Sequence, residues 1–264
     1  YITPQVWAWG STRLPELAGI VTKAACILPF EESLLRAHGI DATFVGHPLL
    51  DRAHALPTRA EARVQLQLPP EGPVLAVFPG SRAQELARHL PDAIATAQQV
   101  RAARPDVTVV VAGAPTVTLR DDDVPFRIVR ASSFPVLRAA DAALCKSGTT
   151  TLEAAVADCP LVVVYRTHRI TYALARRVVR IPRIGLVNVV ADEAVAPEFV
   201  QRDFAPPAVA AALLPLLDAG SAARATMLAG LAHVRARLGS PGASARVAAM
   251  AEAGGVEELR RVSR

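Results

Sequence analysis

The chain has 264 residues, 52% of them hydrophobic and 20% charged, enough apolar material for one large core or two smaller ones. Its net charge of +5 is carried almost wholly by arginine, which favours nucleotides or phospholipid headgroups, while the absence of zinc-finger spacing, an RNP-type motif or a basic tract interleaved with aromatics argues against nucleic acid. Cys26, Cys145 and Cys159 lie in or beside apolar runs without CxxC spacing, which argues against a disulfide framework or zinc ribbon and fits a reducing, cytosolic setting, and no run reaches the ~18 apolar residues of a membrane span or marks a signal peptide.

In chain order, residues 1–9 read as a short strand and an aromatic turn, with Trp7 and Trp9 either in core or interface packing or forming a wall for an apolar or sugar ligand. A helix over 14–21, a strand over 23–28, a turn at Pro29 into a helix ending near His38, and a strand over 42–45 complete a βαβαβ pattern with parallel pairing. His47, Asp51 and His54 would share one helix face, a spacing open to a metal. Pro48 makes His47 a turn residue instead, and Arg52 offers Asp51 an ion pair. At Leu56-Pro57-Thr58 the pattern breaks, and Thr58 with Glu61 forms a capping-box signature for a new helix. A domain boundary is expected there.

Strands are expected over 74–78, 107–112, 126–129, 142–145 and 161–164, with helices between most of them. Their β-branched runs lack polar alternation, so both faces are covered, as in a doubly wound parallel sheet whose ligands bind beyond the carboxyl ends of the strands. Two junctions there carry chemistry. The run 74–78 ends in Pro79-Gly80-Ser81-Arg82 before a helical pattern over 84–104, and the run 141–145 ends in Lys146-Ser147-Gly148-Thr149-Thr150-Thr151-Leu152-Glu153. Glycine permits a tight turn, Ser147 and Thr149 are N-cap types, and a helix start aims N–H groups and a positive dipole end at an anion. The fork of Arg82 suits a diphosphate. Glu153, about one turn inside its helix, either accepts from a sugar diol or complements the dipole. Two such turns point to one divided anionic ligand.

Asp121, Asp122 and Asp123 read as a solvated loop rather than a metal site. The stretch 168–180 is a helical pattern crowded with arginine: a surface helix, a membrane-surface patch or a contact to an anionic substrate. Asn188 lies in the apolar run 186–190 and is either a satisfied structural residue or a ligand contact. Three alanine-rich helices are expected over 208–217, 222–238 and 243–259.

Together these motifs resemble the lipid A disaccharide synthases, inverting glycosyltransferases of GT-B architecture. The resemblance rests on the segment from Tyr1 to Trp9, Leu28-Pro29-Phe30-Glu31, Val45-Gly46-His47-Pro48-Leu49 with Asp51, Pro79-Gly80-Ser81-Arg82 with Glu85, Ser147-Gly148-Thr149 with Leu152-Glu153, Val187-Asn188, and Pro197-Glu198-Phe199 with Gln201. It implies an α/β fold with a doubly wound, Rossmann-like donor domain over 57–238, the remnant of a second Rossmann-like domain over 1–56, and a C-terminal helix over 239–264 crossing back to the first. The implied reaction moves 2,3-diacylglucosamine from UDP-2,3-diacylglucosamine to the 6-hydroxyl of 2,3-diacylglucosamine 1-phosphate (lipid X), giving the β(1→6) disaccharide and UDP.

On this resemblance Gly80, Ser81, Arg82, Ser147, Gly148 and Thr149 surround the diphosphate, Glu153 holds the ribose and Asn188 is a polar contact at the donor. Glu85, Glu198 and Gln201 are donor-site or interdomain residues, His47 and Asp51 belong to a hinge, and backbone atoms of 128–132 meet the uracil. No metal or other cofactor is implied, since the UDP-sugar is the substrate. The helix around Arg176 and Arg177 would hold the protein to the cytoplasmic face of the inner membrane, and a homodimer is implied. The chain starts at Tyr1 in mid-pattern, and in the family the Gly-rich first turn and the candidate general base precede this point. By itself it is therefore expected to bind donor weakly and not to turn over. Two alternatives are another GT-B enzyme acting on UDP-N-acetylglucosamine, whether transferase or 2-epimerase, and a non-catalytic nucleotide-binding module.

Overall fold

The computed structural model describes residues 1–9, 11–53, 55–168, 172 and 182–262, without the side chains of 9, 11, 123 and 254–262. The arginine-rich stretch with Arg176 and Arg177, and His54, lie outside the described residues. The chain forms two compact units, one from residues before 55 and from 235 onward, the other from 55–168 and 183–234.

The first unit contains α1 (Val6–Trp9), α2 (Leu14–Ile20), β1 (Lys23–Cys26), α3 (Glu31–Arg36), β2 (Asp41–Phe44) and α4 (Leu49–Ala53). Among its described residues the sheet has two strands, parallel from Lys23↔Asp41 to Cys26↔Phe44. The expected first strand is not there. Ile2 takes a left-handed φ of 60° and donates to Ala25 O, while Pro4 has no N–H to give a ladder. Glu31, 2% exposed, gathers the surrounding chain by accepting from Thr3 Oγ1, Trp7 Nε1 and the N–H groups of Ile27 and Leu28. Burial raises its pKa, against the pull of those four donors.

Asp51 is a helix cap. Its carboxylate accepts from the N–H groups of Gly242, Ala243 and Ser244 and from the Ser244 hydroxyl, at the start of the last helix, Ala243–Val262. The bonds from Ser244 and Gly242 hold its pKa at about 2. A folded pKa below the ordinary aspartate value stabilises fully above that value, and the stabilisation is lost as pH falls through about 2. Asp51→Ala is therefore expected to open this helix start to limited proteolysis at neutral pH, where the parent chain is protected. Equal cleavage of both would sink the capping role. His47 is buried, accepts the Leu49 N–H on Nδ1, and has its pKa lowered to about 4 by burial. Among the described residues no group of three or more His, Cys, Asp or Glu could hold a metal ion.

The second unit opens with α5 (Arg59–Gln65), started by the expected capping box between Thr58 and Glu61. There follow β3 (Val74–Phe78), α6 (Ala83–Ala103), β4 (Thr108–Ala112), β5 (Arg127–Val129), α7 (Ser133–Ala139), β6 (Ala142–Lys146), α8 (Thr150–Val156), β7 (Leu161–Tyr165), α9 (Leu186–Ala191), β8 (Glu198–Val200), α10 (Pro206–Leu213) and α11 (Ala222–Arg237). The last helix of the chain is then α12. The sheet is wholly parallel in the order β5-β4-β3-β6-β7-β8. Its central strands are buried along their length, as their unbroken apolar runs require.

The apolar run around Asn188 is helix α9. Two details depart from the sequence reading. The expected helix over 208–217 starts at Pro206 and tightens into a 3-10 turn at Leu214–Leu217, where Pro215 removes a donor. The edge strand β8, three half-buried residues long, has no apolar pattern by which to find it. The three aspartates form a short 3-10 turn, with Asp121 paired to Arg130 at 3.1 Å. Among the described residues no single helix is long and apolar enough to cross a membrane.

Candidate functional site

The strand order reverses direction between β3 and β6, the first and fourth strands of this sheet, which are direct neighbours with Phe78 opposite Cys145. The turns that follow them, residues 79–82 and 147–149, therefore leave the sheet side by side at its topological switch point, where open α/β sheets bind ligands. Sequence alone located both turns; the register makes them one place.

Gly80 has a φ of 131°, and a Cβ there would stand 2.7 Å from Glu85 Cβ. The missing side chain thus makes room for Glu85, which folds back from the first turn of α6. Its carboxylate accepts the Ser81 N–H and the Lys146 ammonium, each at 2.9 Å, and lies 3.6 Å from Arg82 Nη1. Burial by itself would raise the Glu85 pKa, but the Ser81 bond, Lys146 and Arg82 outweigh it and bring the group below the ordinary glutamate value. Arg82 stands at the N-cap of α6 with its side chain 82% exposed. It lines a cleft of about 490 Å³ together with Gln84, Glu85, Arg88, His89, Tyr165 and Arg166.

The second turn divides its residues between two tasks. Ser147 was expected to donate to phosphate, but its hydroxyl hydrogen goes to Ile184 O at 2.8 Å and its N–H to Val164 O. Thr151 is buried, donating to Gly148 O and accepting the Val187 N–H. Gly148 and Thr149 stay open: a Cβ on Gly148 would meet nothing closer than Lys146 Nζ at 3.8 Å, and Thr149 is exposed without a capping bond. Glu153 is half-buried in the first turn of α8.

Asn188, 1% exposed, donates to Ala196 O and Glu198 Oε1 and accepts the Ala196 N–H, so the amide expected at the donor is committed inside the fold. Glu198 accepts from the N–H groups of Ile184 and Gly185 as well as from Asn188, fastening the loop that Ser147 touches. Gln201 accepts the Thr167 N–H on its side chain and bonds Arg166 through its carbonyl. These three residues shape the surroundings of the site from behind.

Sequence reasoning missed Lys146, Arg88, His89, Tyr165 and Arg166. His89 Nε2 accepts the Arg166 N–H at 2.8 Å, so the ring proton sits on Nδ1 and is donated to Glu85 O at 2.7 Å. Burial lowers its pKa, consistent with a neutral ring. Arg166 pairs with Asp92, donates to the carbonyls of Gln201 and Phe204, and lies over the Phe204 ring. The available signals were Lys146 closing an apolar strand, and His89 following Glu85 by four residues on a predicted helix.

A family model described as lipid-A-disaccharide synthetase matches residues 1–249. The chain is 41% identical over 256 residues to the lipid-A-disaccharide synthase of Anaeromyxobacter sp. (strain K), covering 94% of this chain and 66% of that one. It is 39% identical to the enzyme of that name from Syntrophus aciditrophicus (strain SB), covering 95% and 67%. The chain thus spans about two thirds of the length of these relatives. The UDP-GlcNAc 2-epimerase of Methanocaldococcus jannaschii, solved with UDP-GlcNAc and UDP, is similar with a TM-score of 0.50 over 74% of this chain and 54% of its own. At 13% identity that likeness bears on the fold alone, which is the parallel α/β class of GT-B proteins expected from the sequence. Match length and identity together place the chain in the lipid-A-disaccharide synthetase family.

Proposed function

We propose that this chain is the donor-binding part of a lipid-A-disaccharide synthase, which moves 2,3-diacylglucosamine from its UDP conjugate to the 6-hydroxyl of 2,3-diacylglucosamine 1-phosphate. The observation that carries the reading is the adjacency of two strand-turn-helix junctions at the switch point, with the Arg82 guanidinium exposed beside them. As the glycosidic bond breaks, negative charge grows on the departing UDP. Arg82 and the N–H groups at Gly148 and Thr149 are preorganised to receive it without moving solvent. Glu153, one turn into α8, is then the acceptor for the ribose hydroxyls.

The test is calorimetric titration of UDP into the chain and into Arg82→Ala, with and without magnesium. Saturable binding that ignores magnesium and weakens by ~1.5 to 3 kcal/mol in the variant is the expected result, the scale of a charge-assisted contact. Unchanged affinity in Arg82→Ala would remove the diphosphate from this turn. Competition adds the sugar: an acylated UDP-glucosamine should displace UDP more effectively than UDP-N-acetylglucosamine does.

A further inference from the structure

Lys23 and Lys146 are the only lysines among 29 basic side chains. Lys146 sits where the two turns meet. Its ammonium bonds Glu85 Oε1 at 2.9 Å and lies 3.8 Å from the position of a Gly148 Cβ, so it stands between the first turn and the second. We infer that Lys146 is a further diphosphate ligand and that Glu85 is its resident counter-anion, which the diphosphate displaces. This rests on the diphosphate reading proposed above.

Three observations carry the exchange. Every donor that Glu85 occupies is one that a phosphate oxygen would use: the Ser81 N–H at 2.9 Å, the Lys146 ammonium, and Arg82 at 3.6 Å. Gly80 admits the carboxylate to this seat and would exclude it if it carried a side chain, with a Cβ 2.9 Å from Glu85 Oε2. The Glu85 and Lys146 side chains are 15% and 18% exposed. At that depth a paired charge loses much hydration and gains little net stability, whereas an unpaired one is costly. A built-in carboxylate holds the Lys146 side chain in place until a ligand with more negative charge arrives. The diphosphate then gains Lys146 and the Ser81 N–H together, and Glu85 is released toward the cleft that its helix already lines.

The experiment titrates UDP, UMP and uridine into the chain and into Lys146→Met, Glu85→Gln and Arg82→Ala, each checked for a cooperative melt. Lys146→Met is expected to weaken UDP by roughly tenfold or more, the scale of one charge-assisted contact, and to leave uridine unchanged. The preference for UDP over UMP should shrink with it. Glu85→Gln, which keeps the acceptor for Ser81 but not the charge, is expected to tighten UDP several-fold. If Arg82→Ala weakens UDP while Lys146→Met keeps the parent affinity and UDP-to-UMP ratio, the Lys146 role is overturned and the diphosphate reading stands. Should Glu85→Gln instead lose affinity as Arg82→Ala does, the carboxylate is a scaffold and the exchange is wrong. Failure of the parent chain to bind UDP while melting cooperatively overturns both.

A second readout needs no variant. After reductive methylation with carbon-13 formaldehyde, the Lys146 methyl resonance should shift with UDP and not with uridine, with Lys23 as internal reference. A Lys146 resonance indifferent to UDP would count against the proposal.

Discussion

Arg63→Ala is expected to cost ~3 to 5 kcal/mol of folding stability, the scale for removing one partner of a buried ion pair. The Arg63 side chain is 2% exposed, and all five of its N–H donors are engaged. Nε donates to Ala139 O, Nη1 to the carbonyls of Pro69 and Pro70, and Nη2 to Gly72 O and Asp141 Oδ2. Asp141 in turn accepts the Val74 N–H and Arg59. The guanidinium thus fastens the beginnings of β3 and β6, at the ends opposite the turns that form the site. Removing it takes a donor from each of four carbonyls and leaves the Asp141 carboxylate with only the Val74 N–H and Arg59, in a place partly shielded from water. Arg63→Lys should recover little, because three donors on a flexible stem cannot reproduce the planar fork. Urea unfolding of both variants is the check. A loss below ~1 kcal/mol in Arg63→Ala would mean that water replaces the fork and that no clamp exists.

Asn188→Leu is expected to cost ~2 to 4 kcal/mol, from stranding both polar backbone groups of Ala196 and depriving the Glu198 carboxylate of a donor. Leucine keeps the branched shape of asparagine but is larger, so overpacking at this buried position adds to the cost. The outcome separates two readings of one residue. A donor contact would lose nucleotide affinity on substitution and keep its melting temperature; a clamp lowers the melting temperature first. The hydrogen bonds of Asn188 to Ala196 and Glu198 favour the second. A variant that melts with the parent chain but binds UDP more weakly would reverse that conclusion.

Much of the sheet was legible because its signals are local. An unbroken β-branched run such as Val74–Phe78 announces a strand covered on both faces, and Thr58 with Glu61 announces a helix start within four residues. The failures have local causes too. Residues 1–5 have strand-like composition, yet Ile2 adopts a left-handed φ and Pro4 cannot donate. Strand β8 is short and half-buried, so its pairing with β7 leaves no periodic trace.

The sequence by itself determined the alternation of strand, turn and helix, the two Gly/Ser turns, and the presence of an arginine in one of them. It could do so because side-chain period, capping chemistry and turn residues act between neighbours in the chain. Only the tertiary structure decided which polar groups are held by the fold and which are left open to solvent. Ser147 turned inward to Ile184, 37 residues away, and Lys146 found Glu85 at a separation of 61. His89 met the N–H of Arg166 across 77 residues. A hydroxyl or a carboxylate looks the same in sequence whether its partner is a phosphate or a distant carbonyl. The folded chain settles the matter by placing one partner within hydrogen-bond reach and leaving the other to solvent.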